Sequence, residues 1–246
     1  MQPDKHLQQA IDAAYRAFAP YPRPTSLDAS PLRDADEILR TLTSVPLREL
    51  TDEQISPYAG WALTTVGSAW DYKHFLPRIL EQAVHERVWV GVEPAIIATK
   101  LDMARWRTWP AAEQAAVSDV FAAAWAQARE MHPDEEDAED WLCGMAALGL
   151  DMTRPLTEWL SSPSTNALLQ LASCLRRERV FQEDDDKSIW WSHVGKETRR
   201  AIVALLRSDT VIHVLVNGAG SVPDTDRWLL DQALAVIFPA RSKRLQ

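Results

Sequence analysis

The chain has 246 residues, with an apolar fraction of 46%, a charged fraction of 25% and a formal net charge of −9. Those values suit a globular protein with a sizeable core and exclude a disordered or collagen-like chain. A sequence pI near 5.2, with no continuous basic stripe, disfavours nucleic-acid binding. Only eight glycines are present, and alanine and leucine are abundant, which tilts the chain toward helix.

Leu7, Ile11, Ala14, Tyr15 and Phe18 recur at helical spacing, so the chain opens on an amphipathic helix within residues 1–18. Pro20, Pro22, Pro24 and Pro31 cannot continue it, and residues 20–31 read as an extended connector. A second helix over 32–43 places Leu32, Ala35, Ile38, Leu39 and Leu42 on one face. Thr51 and Gln54 form a capping-box pattern ahead of a third. There Pro57 either kinks the helix or sits in the first turn of one starting at Ser56. Further helices are expected over 71–87, 94–105, 110–131, 135–148, 155–160, 165–179, 196–206 and 223–237. Residues 210–216 are rich in β-prone Val and Ile; helix is preferred because a lone strand has nothing to pair with.

These elements predict an all-α fold, one domain over 1–246, built as an array of about ten to twelve short antiparallel helices. Residues 160–172 echo 206–219 at an offset near 46, close to the period of HEAT-like helix pairs. A HEAT-like superhelix is therefore favoured over an irregular bundle. The eleven tryptophans read as core and inter-helix wedges. Cys143 and Cys174 form no CxxC motif and read as small buried hydrophobes in a reducing compartment. Residues 1–18 lack the apolar core of a secretory signal, and no apolar run approaches a membrane span, so a cytoplasmic location and no membrane partner are expected.

The stretch from Pro46 to Glu81 carries Thr64-Thr-Val-Gly67 followed by Lys73-His-Phe-Leu-Pro-Arg78. It resembles a group of uncharacterised bacterial all-helical proteins with a Thr-Thr-x-Gly turn and a Lys-His-Phe-Leu-Pro-Arg run. The resemblance implies a helical fold and a bacterial origin, and brings no activity. Within the stretch, Gly67 is expected to end one helix and Ser68 or Asp71 to cap the next. Asp71 and His74 share a helical face, with Arg78 one turn on. They read either as a cap and a structural histidine or, with His85, as part of a metal or general-base site.

No catalytic residue, metal ligand set or cofactor site is assigned. HExxH, GxSxG and phosphate-loop patterns are absent, and Asn217-Gly-Ala-Gly220 lacks the third glycine of a dinucleotide site. Charge distribution is more informative. Asp134, Glu135, Glu136, Asp137, Glu139 and Asp140 crowd one helix start, and Glu183, Asp184, Asp185 and Asp186 form an unbroken run. These ten carboxylates exceed the net charge of −9, so the rest of the chain sums to +1. One or two would satisfy a helix dipole; the surplus suits a basic protein partner, with Trp190 and Trp191 as aromatic anchors. Arg176, Arg177, Arg179, Arg199 and Arg200 are the alternative, intramolecular answer to that charge.

The sequence thus points to a protein-binding module, most concretely an immunity-type antagonist that occludes a basic toxin. The alternatives are an enzyme with a site assembled from dispersed residues, and a helical scaffold. Partner identity and oligomeric state are left open by the sequence.

Overall fold

The computed structural model describes residues 2–85, 91–181 and 191–237. These residues form twelve α-helices and no named strand, so the all-α expectation holds. The backbone divides into two compact units, Met1–Ala124 and Trp125–Gln246. The division falls inside a continuous helix, and so no Pro- or Gly-rich linker marks it in the sequence.

In the first unit, α1 (Lys5–Phe18) is capped by Asp4, whose carboxylate accepts from the Leu7 N–H at 2.8 Å. Its Leu7, Ile11, Ala14 and Phe18 are buried against α4 (Ala69–His85). Helix α2 (Ala35–Leu42) starts three residues later than the spacing implied, and Leu32 is left exposed ahead of it. Helix α3 (Asp52–Trp61) begins at the Thr51–Gln54 capping box, with Gln54 Oε1 accepting from the Thr51 N–H at 2.8 Å. Pro57 lies inside α3, in its second turn, so the later start at Ser56 does not occur.

Gly67 does not end a helix. Helix α3 stops at Trp61, and Gly67 closes the seven-residue crossing to α4 with φ +70°. The Gly67 N–H donates to the Asp28 carbonyl at 2.7 Å, and the Ser30 N–H donates to the Thr65 carbonyl at 2.9 Å. The proline-rich connector is thereby pinned to that crossing, with Tyr21 and Leu27 turned into the core. Helix α5 (Pro94–Met103) supplies Lys100, whose ammonium donates to the Gly60 and Ala62 carbonyls at 2.9 and 2.8 Å. A buried cation thus stands where the unpaired carbonyls at the end of α3 need donors. Helix α6 (Ala111–Ala128) follows, and its buried face sets Glu113, Val117, Val120, Phe121 and Trp125 among alanines.

The second unit is centred on α9 (Thr165–Arg177), buried continuously from Ala167 to Leu175. It packs against α7 (Ala138–Ala147), α11 (Asp209–Gly218) and α12 (Arg227–Ile237). Gln170 is its polar hub: Oε1 accepts from the Ala138 N–H, and Nε2 donates to the Met131 and Glu136 carbonyls at 3.0 and 2.7 Å. Helices α8 (Thr153–Ser161) and α10 (Lys196–Leu206) complete it. The echoed segments are both helix–turn–helix, and a serine stands at the N-cap of the second helix in each, Ser164 and Ser208, though not in register at the 46-residue offset. The β-prone 210–216 segment is helical because Val211 and Leu215, four apart, are the residues it buries. Gly218 completes that packing, since a Cβ there would lie 2.4 Å from Leu168 Cδ2. Among the described residues, no single helix is long and apolar enough to cross a membrane.

Candidate functional site

The acidic run 134–140 does not form one solvated face. Asp134 has a side chain 91% exposed, and Glu135 is exposed beside it. Asp137 caps α7, accepting from the Glu139 N–H at 3.1 Å. Its other oxygen pairs with Arg177 and, at 3.4 Å, with Arg179; Asp140 meets Arg179 at 3.1 Å. The arginines near the end of α9 therefore answer α7 within the unit. Glu136 and Glu139 are buried, which corrects the expectation that all six carboxylates face a partner. The reason is the burial of α7 as a whole: residues 138, 139 and 141–146 are all buried, so Glu139 is enclosed with its apolar neighbours, while Glu136 lies in the segment that leads into the helix.

Trp191 is corrected as well. It is 1% exposed, and its indole N–H donates to Glu139 Oε1 at 2.9 Å, so it is a core residue rather than a surface anchor. Glu183, Asp184, Asp185, Asp186 and Trp190 lie outside the described residues.

Asp71, His74 and His85 do not converge. Asp71 accepts from the N–H and hydroxyl of Ser68 at 2.8 and 2.7 Å, closing the start of α4. His74 Nδ1 lies 2.9 Å from the Tyr21 carbonyl oxygen. His85 is the last residue of α4, about three turns further along. Among the described residues, no three of His, Cys, Asp and Glu gather as metal ligands.

Sequence reasoning missed a buried network in the first unit. The Tyr21 hydroxyl donates to Glu113 at 2.6 Å and accepts from Lys73 Nζ at 2.7 Å, while Lys73 pairs with Glu113 at 2.7 Å. Lys73 also lies 4.7 and 4.3 Å from the ring centres of Tyr21 and Trp109. Each group has the partner its burial demands. Tyr21 comes from the connector, Lys73 from α4 and Glu113 from α6, 92 residues after Tyr21. The one readable signal was Lys73 amid apolar neighbours on the buried face of its helix.

Above this network stands Trp70, 59% exposed. Its ring meets Tyr21 edge to face, with centroids 4.7 Å apart at 77°. In the second unit, a groove of about 450 Å³ runs between the α8–α9 turn and α11, lined by Trp159, Pro163, Leu168, His213 and Asn217. Neither it nor the 470 Å³ hollow beside Arg129 and Glu158 gathers a catalytic constellation. No family model, curated protein or solved structure matches this chain.

Proposed function

We propose that this protein is a protein-binding module, most concretely an immunity-type antagonist that occludes a partner with a basic surface. The observation that carries the reading is Trp70. A tryptophan more than half exposed is held edge-on by Tyr21, whose hydroxyl is fixed by Lys73 and Glu113. Such a ring offers large apolar area with little entropy left to lose, which is the character of an interface hot spot. The net charge of −9 favours a basic partner and fast encounter. In the second unit, Asp134 and Glu135 are the exposed carboxylates of the 134–140 run.

The test is capture from the native lysate by wild type, Trp70→Ala and the double variant Asp134→Asn/Glu135→Gln, each at low and high salt. The expected result is one basic protein, bound by wild type, lost from the Trp70 variant by roughly 30-fold or more, and weakened by salt. Capture that Trp70→Ala retains in full would move the interface elsewhere, and absence of any specific partner would end the antagonist reading.

A further inference from the structure

Glu139 lies outside the surface just described, and its surroundings are unusual. The residue is 2% exposed. Oε1 takes a single hydrogen bond, from the Trp191 indole, and Oε2 is buried without a hydrogen-bond partner among the described residues. An ionised carboxylate can accept about four hydrogen bonds, so a site offering one suits the neutral acid. We propose that Glu139 is a proton-operated latch: its neutral carboxyl holds Trp191 and the 3-10 turn Trp191–His193 against α7, and its ionisation loosens that seat.

The facing groups define the balance. On α7 itself, Asp140 opposes ionisation and the Cys143 thiol lies one turn on; α9 contributes the Cys174 thiol. Arg179, from the short turn after α9, favours ionisation, yet its Nη1 is directed to Asp140 and Asp137 at 3.1 and 3.4 Å. Arg177 is occupied by Asp137. Arg199 of α10 acts on Cys143 and donates its Nε–H to the Val180 carbonyl at 3.0 Å. His193, on the Trp191 turn, is exposed. Burial pushes the Glu139 carboxyl up to about 7, against the pull of Arg179 and the Trp191 bond, and Asp140 adds to the rise.

The sign follows from that direction. A carboxyl whose folded value is raised from 4.5 to about 7 contributes stability that is fully present below 4.5 and lost as pH rises through about 7. The proton leaves to water, and no co-reactant is needed. Ionisation strengthens the Trp191 bond itself, so the loosening comes from the larger cost of a buried charge, which is relieved when the Trp191 turn lifts and water reaches Glu139. The seat is therefore tight in mild acid and loose in mild alkali.

The test is NMR on the full chain with 15N-labelled tryptophan, the Trp191 indole being assigned through Trp191→Phe. Its resonance and its hydrogen exchange are followed from about pH 5.5 to 8.5, with exchange measured as a ratio to the exposed Trp228 indole. The expected result is a titration with a midpoint near 7 and a loss of relative protection of about tenfold above it. Glu139→Gln keeps the acceptor and removes the charge, so it should flatten both. Asp140→Asn provides an independent reading and should lower the midpoint. A flat Trp191 resonance in wild type, the same titration in Glu139→Gln, an unmoved midpoint in Asp140→Asn, or a titration without lost protection would each overturn the latch.

Discussion

Single residues in this protein carry large, opposite risks depending on whether their polar atoms are matched. Lys73 is matched, being paired with Glu113 and bridged by the Tyr21 hydroxyl. Lys73→Met should cost about 3 kcal/mol in denaturant unfolding, because Glu113 is then a buried charge without its counterion. Tyr21→Phe leaves the ion pair intact and should cost about 1 kcal/mol. A fall from Lys73→Met no larger than that from Tyr21→Phe would show the pair to be well hydrated. The two thiols illustrate the other extreme. Burial holds both Cys143 and Cys174 well above the usual thiol range. A disulfide-exchange reagent should therefore label neither in the native protein at neutral pH and both in denaturant. Prompt native labelling would show that the second unit opens readily around α7 and α9.

At the scale of elements, the start of α7 separates surface charge from structural charge. Asp134 is free of the core, whereas Asp137 both caps the helix and meets Arg177 and Arg179. Asp134→Asn should leave the unfolding free energy unchanged within about 0.5 kcal/mol in thermal melting. Asp137→Ala removes a cap and a part-buried pair together, and should cost about 2 kcal/mol. Equal effects would mean that the arginines find other partners. The α9–α11 crossing makes a second case. With Leu168 Cδ2 only 2.4 Å from where a Gly218 Cβ would stand, Gly218→Ala must move Leu168 or part the helices. A loss of about 1–3 kcal/mol is expected by thermal melting, and a neutral result would show that Leu168 rotates aside.

At the scale of the whole molecule, the backbone divides into two compact units, and whether they unfold independently is open to test. Lys73 and Gln170 belong to different units and share no hydrogen-bond partner among the described residues. Lys73→Met and Gln170→Leu should then be additive within about 0.5 kcal/mol in a double-mutant cycle, and a larger coupling would show that the units unfold as one. The net charge of −9 is also a property of the whole chain, and it bears on encounter rate rather than on fold.

What the sequence determined by itself was the helical content and most of its punctuation. The Leu7–Phe18 stripe and the Thr51–Gln54 box mark helices that form where they stand, because apolar period and capping are local properties. Helix α10 at Lys196–Leu206 matches its expected span. The tertiary structure alone decided which charges are surface. Glu139 and Asp134 belong to one acidic run, yet one is buried under Trp191 and the other faces water, since Asp134 lies in the exposed turn before α7 and Glu139 lies on the buried helix itself, a distinction that a charge count cannot make. It also decided the network of Tyr21, Lys73 and Glu113, which joins a connector to two helices. Those partners are distant in the chain, and only packing, which answers to volume and to unpaired polar atoms, brings them together.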